Sequence, residues 1–229
     1  YRGLLLYHGL GAGKTCASIA IAEGLKHSKE ILVLTPASLQ QNYKNELRTC
    51  GDSLYKLNQH WDWIPVGGNL EIIETLSNIL SISVEDIRKQ GGAWFVDIRK
   101  PSNFGSLSTE QKISLNKQIE KMIASKYTFR NYNGWRKSDL EKPDFSDGGR
   151  YNPFDNKVVI IDEAHNFVSK IVNKLKKPDS MSMKIYEYLK NASNCRIVFL
   201  TGTPIINYPN EIGVLFNMLR GNIKVLNFY

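Results

Sequence analysis

Short runs of apolar residues alternate with helical patterns at the start of the chain. The first run, residues 3–7, leads into a glycine-rich turn and then into apolar positions at 17–25 that are dense enough for a helix buried on most sides. A second run, residues 31–34, precedes a helical pattern at 38–47. Continuous apolar runs of this length are typical of strands covered on both faces. Two strand–helix units in succession predict a parallel sheet with right-handed crossovers.

Two further runs, at 157–161 and 196–200, each consist of one basic residue followed by four apolar residues and end directly in polar loops. Ligands of open α/β sheets gather at the carboxyl ends of the strands, so these loops and the glycine-rich turn should share one edge. The pattern therefore predicts an α/β fold with a mostly parallel sheet and helices on both faces. One more helix, at about 210–219, and a last strand complete this prediction.

Residues from about 51 to 150 interrupt the scheme. We interpret them as an elaboration inserted into a single domain that spans residues 1–229. The segment carries predicted helices at 72–80 and 115–123 and predicted short strands at 94–96 and 127–129.

Composition excludes several classes of protein. Hydrophobic residues make up 42% and charged residues 23% of the 229 positions, which fits neither disorder nor a collagen-like chain. No run approaches the roughly 20 apolar residues of a membrane span, so we expect no membrane partner. Three cysteines without metal-type spacing favour a reducing, intracellular compartment. Because the chain starts at Tyr1 and not at Met, we expect it to be a piece of a longer protein.

The charge balance favours a polyanionic partner. Thirty Lys and Arg against 22 Asp and Glu give a net charge of +8. This balance is expected of a chain that meets DNA or RNA, but the excess forms no single tract. The alternative, a basic protein that binds no such partner, therefore stays open at this point.

The glycine-rich turn has the composition of a phosphate-binding loop. Such a loop needs small residues that let backbone N–H groups point inward, a lysine for the phosphates and a hydroxyl for Mg²⁺. The strict pattern has Gly where this chain has His8, and an ordinary helix-capping loop is the alternative. Its place between a strand and a helix favours nucleotide binding. The residues expected to bind are Gly9, Leu10, Gly11, Ala12, Gly13, Lys14 and Thr15.

An acidic pair, Asp162 and Glu163, follows the four consecutive apolar residues at 158–161. An acid at a strand end can hold Mg²⁺ while its neighbour orients or deprotonates the attacking water. Alone, this pair would more often mark the start of a helix. The strand before it and Lys14 upstream favour the catalytic interpretation.

Four segments resemble motifs I, Ia, II and III of superfamily-two helicases and translocases, and they occur in that order. The segments are 11–15 (Gly-Ala-Gly-Lys-Thr), 35–39 (Thr-Pro-Ala-Ser-Leu), 162–165 (Asp-Glu-Ala-His) and 200–204 (Leu-Thr-Gly-Thr-Pro). The last of them resembles the Swi/Snf-like branch.

The chain as a whole, including residues 94–97 and 127–134, is similar to helicase-like ATPases of large cytoplasmic DNA viruses. That group includes the poxvirus early-transcription-factor small subunit and nucleoside triphosphatase I. The resemblance implies a RecA-like P-loop fold, a virion or host-cytoplasm location and work with the transcription machinery. It also implies a second, arginine-bearing lobe that is absent from this chain, so the isolated chain is expected to be nearly inactive.

The resemblance also implies roles for individual residues. Lys14 would bind the phosphates of ATP, and Thr15 and Asp162 would hold Mg²⁺. Glu163 would activate water. The coupling residues between the ATP site and the nucleic acid would be His165, Thr201 and Thr203, and the residues contacting the phosphates of DNA or RNA would be Thr35 and Pro36.

Two other functions compete with this one. A P-loop kinase or small-molecule ATPase would need neither the segment at 35–39 nor the one at 200–204. An interaction module that keeps the fold but has lost activity would not need Lys14, Thr15, Asp162 and Glu163 all in place.

Overall fold

The computed structural model describes residues 2–9, 11–140 and 151–221. Two compact units divide the chain, the first built from residues 1–43 and 128–229 and the second from residues 44–127. The strands are β1 (Gly3–Tyr7), β2 (Glu30–Leu34), β3 (Trp61–Pro65), β4 (Gly92–Val96), β5 (Tyr127–Arg130), β6 (Lys157–Ile161) and β7 (Arg196–Thr201). The helices are α1 (Lys14–Leu25), α2 (Gln40–Cys50), α3 (Leu70–Leu80), α4 (Val84–Gln90), α5 (Thr109–Lys126), α6 (Lys137–Leu140), α7 (Ala164–Val172), α8 (Met181–Asn191) and α9 (Asn210–Arg220).

The main sheet has the strand order β1-β7-β6-β2-β5. The pairs β1–β7, β7–β6 and β6–β2 are parallel. In the register, Thr201 lies opposite Tyr7, and Ile161 lies opposite both Phe199 and Leu34. These strands therefore end at one edge of the sheet, which confirms the predicted meeting of their polar loops.

Helices cover both faces of this sheet, as predicted. Alternate strand residues join apolar residues of α7, α8 and α9 in one buried cluster, to which β2, β6 and β7 contribute Leu32, Leu34, Val159, Ile161, Ile197 and Phe199. The intervening residues are also buried, including Ile31, Val33, Val158, Ile160, Val198 and Leu200. On that side α1 packs against β1, β6 and β7. Only Ser18, Ile19 and Ala22 of α1 are fully buried, fewer positions than its apolar pattern predicts.

The second unit pairs β3 and β4 antiparallel, with Trp63 opposite Trp94. The two indole rings meet edge to face at 5.3 Å between centroids. The buried Gln118 of α5 accepts a hydrogen bond from the Trp94 N–H at 2.8 Å and donates to the Trp94 carbonyl at 2.7 Å. Apolar side chains from its helices are buried, among them Ile73, Leu76, Leu80, Ile87, Leu115, Ile119 and Met122.

Several elements differ from the sequence prediction. The strand β3 and the helices α4 and α8 have no counterpart in it. The predicted strand at 127–129 exists as β5, but it extends the main sheet beside β2. The predicted last strand lies outside the described residues. Among the described helices, none combines the length and the apolar character that crossing a membrane requires.

Candidate functional site

The phosphate-binding loop connects β1 to α1. Gly11 and Gly13 have φ values of 74° and 73°, in the left-handed region that favours glycine. Gly13 directly precedes α1, so the first helical turn, whose N–H groups have no carbonyl partner within the helix itself, begins at the loop. A Cβ atom placed on Gly9, Gly11 or Gly13 would meet nothing within 4 Å. The loop therefore fits a phosphate group, while Leu10 lies outside the described residues.

The Lys14 ammonium group is directed back toward its own loop. Its Nζ donates to the carbonyl oxygens of His8 and Gly9, each at 2.8 Å. A Cβ atom on Gly202 would lie 3.9 Å from Lys14 Nζ and 3.5 Å from the His8 oxygen. The loop after β7 thus lies beside the phosphate-binding loop, as the β1–β7 pairing requires.

Two side-chain hydroxyl groups, those of Ser18 and Tyr43, form a chain of hydrogen bonds to the main chain of Thr15. The Ser18 hydroxyl donates to the Thr15 carbonyl oxygen at 2.7 Å. Because that donation uses the Ser18 proton, the Tyr43 hydroxyl, 2.8 Å away, donates to Ser18 Oγ. Sequence reasoning gave no sign of this support, since neither residue belongs to a motif.

Asp162 lies at the carboxyl end of β6, where its N–H donates to the Leu34 carbonyl oxygen at 2.9 Å. Its Oδ1 accepts a hydrogen bond from the Glu163 N–H at 2.9 Å. Burial, together with the neighbouring Glu163 carboxylate, raises the pKa of Asp162 to about 6, although the Glu163 N–H and the Lys14 charge act in the opposite direction. A carboxylate in this position suits a hard divalent cation such as Mg²⁺.

Glu163 has a left-handed backbone, with φ 49° and ψ 50°. A residue other than glycine pays roughly 1 kcal/mol or more for this conformation, which recurs at functional sites. Its carboxylate Oε2 lies 3.3 Å from His165 Nδ1, and 30% of its side chain is exposed. Glu163 can therefore meet solvent water, and the imidazole of His165 lies beside its carboxylate.

His165 connects α7 to the loop after β7. Its Nδ1 lies 2.8 Å from Thr201 Oγ1 and 3.4 Å from Thr203 Oγ1. Thr201 is fully buried, and its Oγ1 also accepts the Thr203 N–H at 3.0 Å. The structure thus brings Glu163 together with His165, Thr201 and Thr203, and the coupling role of these last three residues stays a prediction.

Thr35 and Pro36 follow β2 at the same edge of the sheet. Thr35 is only 1% exposed. Its N–H donates to the Arg130 carbonyl oxygen at 3.1 Å, and its hydroxyl donates to the Pro36 oxygen at 3.1 Å. The N–H and the hydroxyl of Thr35 are thus both bonded within the chain. Pro36 is more exposed than Thr35. Their contact with nucleic acid stays a prediction.

Tyr132, which sequence reasoning did not assign to the site, contacts the acidic pair. It lies just after β5, and its hydroxyl donates to the Asp162 carbonyl oxygen at 3.0 Å. Nearby, Lys170 of α7 donates to Asn133 Oδ1 at 2.6 Å and lies over the Tyr132 ring. No spacing in the sequence signals either contact.

Glu211 is a second residue that sequence reasoning missed. It is 1% exposed and accepts the N–H groups of Ile206 and Asn207 at 2.7 and 3.2 Å. Burial acts to raise its pKa, but these donors outweigh it and hold the pKa of Glu211 below its usual value. Asn207 donates in turn to Ser169 Oγ of α7 at 2.8 Å. The loop after β7 is therefore anchored to both α7 and α9.

Comparison with protein families finds one model, described as type III restriction enzyme, res subunit (ResIII), that matches residues 1–206. The matched segment contains the phosphate-binding loop, the acidic pair and the loop after β7.

Relatives of the whole chain come from large DNA viruses. A protein of Acanthamoeba polyphaga mimivirus, R563, carries the name of a candidate ATP-dependent RNA helicase. It is 30% identical over 228 residues, which cover 97% of this chain and 30% of that protein. The "Termination factor NPH-I homolog" of African swine fever virus (isolate Pig/Kenya/KEN-50/1950) is 26% identical over 222 residues, 97% of this chain and 23% of its own length. The chain therefore spans less than a third of either relative.

One solved structure that resembles the chain is that of the Sulfolobus solfataricus SWI2/SNF2 ATPase core in complex with dsDNA. The match covers 95% of this chain and 31% of that one, with a TM-score of 0.43 and 19% sequence identity.

Proposed function

The chain belongs to the ResIII family of helicase-type ATPase domains, and on that basis we propose that it is the RecA-like, ATP-binding lobe of a nucleic-acid-dependent helicase or translocase. In this proposal residues 1–229 form one lobe, and the second compact unit, residues 44–127, corresponds to the insertion predicted at about 51–150. ATP hydrolysis would drive movement on DNA or RNA. The names of the viral relatives support work in viral transcription or genome processing. The location that we propose is the virion or the host cytoplasm.

The observation that carries the proposal is the convergence of three loops at one sheet edge. The parallel strands β1, β6 and β7 deliver the phosphate-binding loop, the acidic pair and the Thr-Gly-Thr-Pro loop side by side. A kinase or a small-molecule ATPase needs the first two loops. The 2.8 Å contact between His165 and Thr201 adds a link from the segment that carries the acidic pair to the third loop. This link favours an ATPase whose hydrolysis is coupled to nucleic acid.

The residues of the site fit ATP with Mg²⁺. The open glycine loop and Lys14 would bind the phosphates, and Thr15 and Asp162 would hold the cation. When bound, Mg²⁺ would neutralise negative charge on the phosphate oxygens. Glu163 would orient the attacking water and accept its proton.

The complete site would need a second lobe, which we propose lies elsewhere in the longer protein. An arginine supplied across a cleft is worth on the order of 10³ to 10⁵ in rate in comparable NTPases. The isolated chain should therefore bind ATP weakly and hydrolyse it very slowly. Further partners in this proposal are DNA or RNA and the transcription machinery.

The test is the ATPase activity of the full-length protein with and without single-stranded DNA, double-stranded DNA and RNA. We expect one of these to stimulate hydrolysis, and the stimulation to weaken between about 50 and 200 mM salt as phosphate contacts are screened. Glu163→Gln serves as the control for contaminating ATPases. A hydrolysis rate that none of these nucleic acids changes would favour a small-molecule ATPase. The absence of any hydrolysis would favour an inactive module.

A further inference from the structure

Tyr132 holds the main chain between the two acidic residues from outside the recognised motifs. Its hydroxyl donates to the Asp162 carbonyl oxygen at 3.0 Å, and its side chain is 6% exposed. The ring packs against Phe167 of α7, with 5.7 Å between the centroids and a tilt of 39°. Because Phe167 is itself buried, the phenol has little room to turn away from Asp162.

The Asp162 carbonyl belongs to the peptide group that joins Asp162 to Glu163. The N–H of this same peptide donates to the Asp162 carboxylate at 2.9 Å. The peptide is thus held at both ends, its oxygen by Tyr132 and its N–H by the side chain of Asp162. A rotation of the peptide plane would break both bonds, since a peptide group moves as a rigid unit.

The orientation of this peptide decides where both carboxylates point. On one side it fixes the Asp162 carboxylate through the N–H bond. On the other side it fixes the backbone conformation of Glu163. The φ angle of this residue is 49°, a value that a residue other than glycine does not favour by itself. A hydrogen bond from a buried hydroxyl supplies what this backbone lacks.

The segment that carries Tyr132 is itself attached to α7. The next residue, Asn133, accepts a hydrogen bond from Lys170 at 2.6 Å, and the Lys170 ammonium lies 5.4 Å from the centre of the Tyr132 ring. Tyr132 therefore approaches Asp162 from a short segment that contacts α7 through Phe167 and Lys170.

We propose that Tyr132 is a positioning residue for ATP hydrolysis, which fixes the Asp162–Glu163 peptide and so aims the carboxylates at the metal ion and the water. This inference rests on the proposed function for its catalytic consequence. Tyr132 acts through the peptide and not on the reacting atoms. Loss of the Tyr132 hydroxyl should therefore slow the chemical step. Nucleotide binding should stay unchanged, because Lys14 and the glycine loop provide it.

Tyr132→Phe in the full-length protein tests the proposal, because it removes one oxygen atom and keeps the ring on Phe167. The matched control is Tyr186→Phe in α8. Tyr186 is also buried, at 7% exposure, and its hydroxyl accepts a hydrogen bond from Asn217 at 3.4 Å, a contact that includes no residue of the site. The measurements are kcat, KM for ATP, the melting temperature and amide hydrogen exchange of the Glu163 N–H.

For Tyr132→Phe we expect kcat to fall about tenfold, equivalent to about 1.4 kcal/mol, with KM within about twofold of the wild type. The Glu163 amide should exchange about tenfold faster. Tyr186→Phe should change neither kcat nor this exchange rate, even if both variants melt at a slightly lower temperature.

A kcat of Tyr132→Phe within twofold of the wild type, with normal Glu163 exchange, would overturn the inference and leave the proposed function intact. An equal fall of kcat in both tyrosine variants would also overturn it, because the effect would then be general. A wild-type protein without ATPase activity would instead refute the proposed function. In that case faster Glu163 exchange in Tyr132→Phe alone would still support the positioning of the peptide.

Discussion

The half-buried carboxylate of Asp162 should lower the stability of the folded chain when it is charged. Burial and the Glu163 carboxylate raise its pKa from an ordinary value of 3.8 to about 6. Since one pKa unit corresponds to about 1.4 kcal/mol, the charge costs at most about 3 kcal/mol at neutral pH. Screening of a partly exposed side chain reduces this to about 1–2 kcal/mol. Asp162→Asn removes the charge and keeps an oxygen that can accept the Glu163 N–H.

The sign of the effect depends on pH in a definite way. A raised pKa means that the folded chain binds the proton more tightly than the unfolded chain does. Below about pH 4 Asp162 is protonated in both states, so the substitution should change nothing. The penalty grows between about pH 4 and 6 and is complete above that, so Asp162→Asn should be the more stable protein at pH 8.

Thermal melting in EDTA at pH 4 and pH 8 measures this difference. A gain of 1–2 kcal/mol corresponds to roughly 2–8 °C in Tm for a chain of this size. Adding Mg²⁺ and ATP at pH 8 should then stabilise the wild type more than the variant, because the variant lacks the carboxylate proposed to bind the metal.

Asp139→Asn is a control with the opposite sign. The Arg136 N–H and the Arg130 side chain hold the pKa of Asp139 below its usual value. Its carboxylate therefore stabilises the fold at pH 8 and stops doing so as the pH falls below about 4. If Asp162→Asn melted below the wild type at pH 8, or kept the same gain at pH 4, the assigned burial cost would be wrong.

Three further predictions concern the site and the core. In the full-length protein, Glu163→Gln should abolish hydrolysis and leave ATP affinity nearly unchanged. Lys14→Ala should weaken ATP binding about tenfold or more, because the proposed role of the amine is to pair with the phosphates. Titration with a fluorescent ATP analogue measures the affinity of both variants. Replacing Thr201 and Thr203 together by Ala should preserve much of the basal ATPase and remove most nucleic-acid stimulation, because the His165 link is lost; steady-state ATPase assays with and without nucleic acid measure this. Cys195, whose pKa burial raises to about 11, should resist iodoacetamide at pH 8 until urea unfolds the chain; mass spectrometry maps the label.

Each of these predictions has a contrary result. Near-normal turnover in Glu163→Gln would remove its role in activating water. A double threonine variant that kept full stimulation, or lost ATP binding outright, would reduce the loop after β7 to a structural turn. Rapid labelling of Cys195 in the native chain would contradict its burial.

The sheet was predictable because strand burial and chemistry coincide in the same segments. The run at 158–161 is continuous and apolar, since helices cover both faces of β6, and Asp162 follows at the edge of the sheet. The same logic located β2 and β7. It failed for α8, whose sequence from Met181 mixes apolar and charged residues and carries no chemistry. It also failed to assign β5 to the main sheet, because a strand of four residues does not reveal its partner.

The site divides in the same way between what a sequence can and cannot show. Lys14, Asp162 and Glu163 could be proposed from the sequence because phosphate and metal chemistry demands those side chains at fixed places in the fold. Tyr132 and Glu211 bind peptide groups instead, an oxygen in one case and two N–H groups in the other. Any hydroxyl or carboxylate that the fold brings within reach can do this, so no residue spacing marks it. Tyr132 precedes its partner by 30 positions, and only the packing of its segment against α7 brings the two together. A motif thus names the groups that react, while the groups that orient them become visible only in the folded chain.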